Sequence, residues 1–300
     1  MTKIGFIGLG HMGYPMAKNL LKAGFTVQVY DVLPQLVEPL VKDGATAAHS
    51  IIALAKEMDV MMTSVQTSEQ VHDICLGQDG IFTHARTDLL YIDCSSIDIQ
   101  MSKVLHDEAE KLKINMLDAP VSGGVAAAEA GTLTFMVGGS DVNLERAQPI
   151  LKAMGKKIVH AGPGSHGQAA KICNNLLLGI SMIGVSEAFT LAEKLGLDKK
   201  KFFEISSNAS GQCWSMTKYC PVPGVIDGVP ANDHYQPGFK ARMMLKDLRL
   251  ANHAAESVDA VIPLGSVAME LYELYVNQGL GETDFSGIIN LIACKSSEGI

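Results

Sequence analysis

Short apolar runs alternate with helical periodicities through the first half of the chain. Strand-length runs fall at 3–8, 26–31, 59–65, 89–93, 114–117, 132–137 and 157–160. Between them apolar residues recur at spacings of three and four, as in 12–23 and 101–112, which is the period of an amphipathic helix. This alternation predicts βαβ units and a doubly wound, mainly parallel α/β sheet. From about Pro163 the β-branched runs stop. Helical patterns follow at 167–195, 199–208, 240–257 and 264–278, so the second half reads as an all-helical domain. The punctuation Ala161-Gly162-Pro163-Gly164 sets the expected boundary: domains 1–163 and 164–300, joined by a long helix. A helix-poor segment, 213–239, interrupts the second domain with four prolines, and a loop of that length is often functional.

Composition narrows the partners. With 24 Lys+Arg against 32 Asp+Glu the formal charge is −8, and the one basic run is Lys199-Lys200-Lys201, so nucleic acid and anionic membrane surfaces are poor candidates. The longest apolar stretch, 176–185, is broken by Ser181, whereas a membrane span needs ~20 apolar residues. It predicts a buried helix. The six cysteines form no C-x-x-C pair and the nine histidines show no ligand spacing, so reduced thiols and no metal site are expected. The chain enters its first strand at residue 3, leaving no room for a signal peptide; a cytoplasmic protein is expected, and an organellar chain numbered from its mature start would look the same.

The strongest chemical signal is Gly8-Leu9-Gly10-His11-Met12-Gly13, a G-x-G-x-x-G directly after a strand and opening a helix. The first glycine permits the tight turn, the second lets backbone approach a pyrophosphate, and the third permits close helix–strand packing. The helix start then offers free N–H groups to the phosphates. The second strand ends in Asp31, where a carboxylate would accept from a ribose diol and repel a 2′-phosphate. Together these predict a Rossmann-type NAD site, with NAD preferred over NADP. Two later strand ends, Val65-Gln66-Thr67 and Asp93-Cys94-Ser95-Ser96, lie where ligands of open parallel sheets bind. Ser96 reads either as a contact to ribose or nicotinamide or as the N-cap of a helix starting at Ile97.

Candidate substrate groups follow. Ser122-Gly123-Gly124 offers hydrogen-bond donors without bulk, fit for the carboxylate of a small organic acid, although an ordinary strand-to-helix turn reads the same. On the long helix, Lys171, Asn174 and Asn175 share one face of an otherwise apolar stretch. Buried polar groups need partners, and a desolvated lysine is a general acid/base candidate; a solvated lysine with two locally bonded asparagines is the alternative. Trp214 lies in a polar turn, and Lys246-Asp247 ordinarily marks a solvated helix face.

Four segments in order, Gly5 to Gly13, Asp118 to Gly124, Gly167 to Asn175, and Lys246-Asp247, resemble the signatures of the β-hydroxyacid dehydrogenases, over essentially the whole chain. The resemblance implies Lys171 as catalytic acid/base, Ser122, Gly123, Gly124 and Asn175 around the substrate, Ser96 and Lys246 along the cofactor, and Trp214 and Tyr219 in the pocket. Segments 208–215, 221–225 and 284–289 imply a member that oxidises 3-hydroxyisobutyrate to methylmalonate semialdehyde with NAD. A sibling acting on tartronate semialdehyde, succinate semialdehyde or serine shares every catalytic group, and a dinucleotide binder without turnover is the remaining alternative. Phe239-Lys240-Ala241-Arg242 departs from the relatives' smaller, less charged residues, placing the difference at the pocket rim or a subunit contact. A homodimer or homotetramer is expected from the apolar helical half.

Overall fold

The computed structural model describes residues 2–294, and its contacts divide the chain into two compact units, Met1–Lys171 and Ile172–Ile300. The first unit holds one nine-stranded sheet. Its strands are β1 (Lys3–Ile7), β2 (Thr26–Tyr30), β3 (Thr46–Ala47), β4 (Val60–Thr63), β5 (Leu90–Asp93), β6 (Asn115–Asp118), β7 (Val121–Ser122), β8 (Leu133–Gly139) and β9 (Gly155–Gly162). The order is β3-β2-β1-β4-β5-β6-β8-β7, with β9 on β8.

Strands β4 and β5 are buried at every position, as expected where helices cover both faces of a parallel sheet. Successive residues therefore enter opposite cores. Phe6, Met62 and Ile92 belong to one cluster, and Ile7, Met61 and Tyr91 to the other. The pairing is parallel from β3 through β6, but β8 runs antiparallel to both β6 and β7. The two-residue strands β3 and β7 escape the sequence pattern because a period of two cannot show itself over two residues.

The order reverses at β1, which has β2 on one side and β4 on the other. Ligands of open sheets lie off the carboxyl ends of strands at such a point.

The long helix, His166–Lys194, begins in the first unit. Its start is tied there: Asp118, at the end of β6, accepts the backbone N–H of Ser165 and of Gln168, both at 2.8 Å. For that reason the contact boundary falls inside the helix, after Lys171, later than the punctuation at 161–164. By length and composition this helix reaches what a membrane crossing requires, which the ten-residue run 176–185 understates. Its apolar character has a packing explanation. Met182 and Ile183 sit in one core cluster of the second unit, Val185 and Phe189 in another.

The second unit continues with helices Lys199–Ser206, Ala241–Glu256 and Pro263–Tyr275, and no strand occurs in it among the described residues. Segment 213–239 is pinned rather than loose. It carries a short helix, Trp214–Thr217, and Asn232 accepts the N–H of Gly224 at 2.7 Å while donating to Ile226 at 2.8 Å.

Candidate active site

The phosphate loop has the geometry its glycines require. Gly8 adopts φ +91°, and its N–H donates to the Tyr30 carbonyl at 3.1 Å. A Cβ on Gly13 would drive into the Gly8 carbonyl, so only glycine lets helix Gly13–Lys22 close onto the loop. Gly10 differs: nothing lies within 4 Å of where its Cβ would be. The helix start has no side-chain cap and no acidic residue in its first turn. Open space in front of Gly10 and uncapped N–H groups fit a pyrophosphate. Around it His11 is exposed, Met12 half-buried, and the Leu9 side chain lies in the core.

Asp31 accepts the Leu9 N–H through Oδ2 at 2.7 Å and the Leu33 N–H through Oδ1 at 2.9 Å. The Leu9 N–H is thereby committed to the carboxylate. A cavity of about 660 Å³ opens beside Asp31, lined by Tyr30, Val32, Pro34, Ala47 and Ala48 among others. An apolar wall next to a carboxylate fits an adenosine.

The ends of β4 and β5 are stitched together. The Val65 N–H donates to Ser95 Oγ at 3.0 Å, and Gln70 Oε1 accepts from Gln66 at 2.9 Å and from Thr67 at 3.2 Å in a capping box. Asp93, fully buried, accepts the Thr63 hydroxyl at 2.8 Å and the Ser95 N–H at 3.0 Å through Oδ1. Its Oδ2 has no partner among the described residues, and burial pushes its pKa above the ordinary carboxylate value. Ser96 does not cap the next helix. Asp98 does, accepting from Gln100 and Met101, and the helix runs Ile99–Lys111.

Ser122 lies in β7 opposite Thr134, and Gly123 (φ +135°) and Gly124 (φ +70°) take backbone conformations that favour glycine. The segment therefore presents a hydroxyl and two N–H groups without side-chain bulk.

Lys171 follows Gln168 by three residues on the long helix. Gln168 is fully buried: its Nε2 donates to the Ser95 carbonyl at 2.8 Å, and its Oε1 accepts the Ile97 N–H at 3.1 Å. Asp118 beneath it also takes His106 Nε2 at 2.8 Å. A Cβ on Gly167 would meet the Met136 carbonyl at 2.5 Å and the Asp118 carbonyl at 2.6 Å, which explains the glycine that opens this motif. Sequence reasoning passed over Gln168 and Asp118 as site residues. The available signal was a polar Gln168 on the face that Lys171 shares.

In the second unit Asn175 is buried, and both ends of its amide are used: Nδ2 donates to Asp247 Oδ2 and Oδ1 accepts from Asn174 at 3.0 Å. Asp247 is only 4% exposed, so Lys246-Asp247 is no solvated pair. Its Oδ1 faces the Lys246 ammonium at 3.3 Å, an ion-pair distance without hydrogen-bond alignment. Trp214, 48% exposed, stacks on Tyr219 with ring centroids 5.0 Å apart, and Tyr219 stacks on Phe285 at 5.3 Å. The charges after Phe239 find a local partner: Lys240 and Arg242 both pair with Glu282, at 2.8 and 2.9 Å. No cluster of metal-ligating side chains occurs among the described residues.

A doubly wound sheet with this loop, followed by a helical unit, defines a dinucleotide-binding oxidoreductase fold. Residues 3–162 match the family described as the NAD binding domain of 6-phosphogluconate dehydrogenase, and residues 165–292 the one described as NAD-binding of NADP-dependent 3-hydroxyisobutyrate dehydrogenase. An NAD-dependent L-serine dehydrogenase of Pseudomonas aeruginosa is 45% identical over 97% of this chain and 98% of its own. The mitochondrial 3-hydroxyisobutyrate dehydrogenase of Homo sapiens is 45% identical over 97% of this chain and 87% of its own. A Mycobacterium tuberculosis 3-hydroxyisobutyrate dehydrogenase solved with L-serine superposes with a TM-score of 0.92 at 41% identity, covering 97% of this chain and 99% of that one. The chain belongs to the β-hydroxyacid dehydrogenase family, whose cofactor is a nicotinamide dinucleotide.

Proposed function

We propose that the protein oxidises 3-hydroxyisobutyrate to methylmalonate semialdehyde, converting a primary alcohol to an aldehyde while NAD becomes NADH. The cofactor supplies a hydride acceptor; the residues supply placement and a proton acceptor. Lys171, neutral before oxidation, takes the hydroxyl proton. The donors of Ser122, Gly123 and Gly124 hold the carboxylate, and Asn175 holds the hydroxyl. Ser96 and Lys246 line the cofactor with Val65 and Gln66, loop Gly8 to Gly13 takes the pyrophosphate, and Asp31 takes the adenosine ribose. Trp214 and Tyr219 wall the pocket. The observation that carries this reading is the polar helix face inside the first unit on which Lys171 follows, by three residues, a fully buried Gln168 bonded to the backbone on either side of Ser96. A binder without turnover needs no such face.

L-Serine is the second reading. It differs from 3-hydroxyisobutyrate in carrying an ammonium where the other acid carries a methyl, and a relative at 45% identity is named for it. The test is initial-rate oxidation of 3-hydroxyisobutyrate, L-serine, 3-hydroxypropionate, glycerate and 4-hydroxybutyrate with NAD and with NADP. A kcat/KM lead for 3-hydroxyisobutyrate with NAD supports the first reading; a lead for L-serine replaces it with the second. Silence across the panel removes both. A cytoplasmic location and a homodimeric or homotetrameric state belong to the same proposal, and light scattering of the purified protein decides the latter.

A further inference from the structure

The buried amide of Gln168 grips the backbone on both sides of Ser96, taking the Ser95 carbonyl with Nε2 and the Ile97 N–H with Oε1. Gln168 stands one helical turn before Lys171, and its own N–H is held by Asp118 at 2.8 Å. Ser95 passes the link on, accepting the Val65 N–H through its hydroxyl at 3.0 Å. The helix carrying Lys171 and the loops after β4 and β5 are therefore one hydrogen-bonded string inside the first unit. We propose that Gln168 is a positioning residue for hydride transfer: it fixes the Ser96 loop, and the cofactor edge that this loop supports, in register with the Lys171 amine. The inference rests on the reading of Lys171 as the acid/base.

The physical case is one of complementarity. A side-chain amide presents one donor and one acceptor in a fixed plane, matching the carbonyl and N–H that flank Ser96. Ser95 and Gln168 are both buried, so water does not replace a lost bond cheaply. An apolar residue of the same length fills the space but leaves the loop free to shift, and a shift of about 1 Å at a reacting centre costs up to about 100-fold in rate. The Gln168 side chain is fully buried and its amide is taken up by the Ser95 carbonyl and the Ile97 N–H, so the loss should fall on kcat rather than on KM.

Gln168→Met, Gln168→Glu and Lys171→Met should be compared with the unaltered protein. The readouts are kcat and KM for 3-hydroxyisobutyrate and L-serine, NADH affinity by fluorescence, the deuterium isotope effect with substrate labelled at the carbinol carbon, and amide exchange of residues 95–97 without cofactor. For Gln168→Met the expected result is a cooperative thermal transition, NADH affinity and KM within about threefold, kcat down about 10- to 100-fold, a larger isotope effect and faster exchange at Ile97. Gln168→Glu provides the second arm. Its carboxyl reproduces the donor and acceptor pattern only when protonated, so its rate relative to the unaltered protein should rise as pH falls. The proposal is overturned by a Gln168→Met kcat within about twofold of normal while Lys171→Met is inactive, by unchanged exchange at Ile97, or by a flat Gln168→Glu ratio across pH. Near-native turnover of Lys171→Met has a different meaning: it removes the acid/base reading, and the proposal with it.

Discussion

The phenol of Tyr219 donates to Asp284 Oδ2 at 2.9 Å, and the same oxygen takes the N–H groups of Gly238 and Phe239, both at 3.0 Å. Oδ1 accepts from the Ser286 N–H and hydroxyl. One buried carboxylate thus ties Tyr219 to the 238–239 end of the 213–239 segment. Burial raises the pKa of both partners, and the Tyr219 hydroxyl proton is committed to Asp284 while its ring stacks on Trp214 and Phe285, so the hydroxyl is not free for a substrate. Tyr219→Phe should cost about 1–3 kcal/mol in urea unfolding, the range for leaving a buried partner unsatisfied, with kcat/KM changed by less than about threefold. A large loss of kcat/KM at unchanged stability would instead put the hydroxyl on the substrate.

The glycines of the phosphate loop should separate into two kinds. At Gly13 a methyl group collides with the Gly8 carbonyl, so Gly13→Ala should destabilise the fold by at least the ~1–3 kcal/mol typical of overpacking. At Gly10 the space is open, so Gly10→Ala should fold with a normal melting temperature and lose NADH affinity. Equal melting-temperature losses in the two variants would contradict the distinction.

Cofactor preference should follow the charge at the end of β2. Asp31→Asn combined with Val32→Arg removes the carboxylate and adds a cation at an exposed position, which should move the kcat/KM ratio toward NADP. Asp31 also holds the Leu9 and Leu33 N–H groups, and asparagine keeps an acceptor for one of them. Unchanged preference in a stably folded double variant would show that the ribose lies elsewhere.

Asp93 should leave a signature in the pH dependence of stability. Burial raises its pKa above the ordinary 3.8, outweighing its bonds from Ser95 and Thr63. Between 3.8 and the raised value the folded chain holds a proton that the unfolded chain has released. Stability contributed by this group is complete below 3.8 and is lost as pH rises through the folded pKa. Asp93→Asn keeps the Oδ1 acceptor and abolishes the titration. Relative to this variant the unaltered protein should lose stability from about pH 4 upward, with a slope of at most ~1.4 kcal/mol per pH until the folded carboxyl has ionised, in urea titrations without cofactor. A difference independent of pH would mean that Asp93 titrates alike in both states.

Much of the first unit was legible because its signals are local. The strand runs, the three glycines and Asp31 each report on neighbours within one βαβ step, and the structure places them together at the carboxyl edge of β1 and β2. Whether Ser96 caps a helix was not legible in the sequence because Ser and Asp are both good N-caps, and only backbone geometry shows that Asp98 does the capping. The burial of Asp247 was not legible in the sequence because charge ordinarily signals exposure, whereas its Oδ2 takes the Asn175 amide from 72 residues away.

By itself the sequence determined the alternating elements, the dinucleotide loop, the lysine and asparagine on one helix face, and through them the family. These depend on period, turn chemistry and spacing, all of which are properties of adjacent residues. The tertiary structure decided which buried polar groups hold those elements in register. Asp118 reaches Gln168 across 50 positions, Gln168 reaches Ser95 across 73, and Tyr219 reaches Asp284 across 65. No periodicity records such pairings, because a buried donor finds its acceptor through the packing of the sheet and helices, not through its place in the chain.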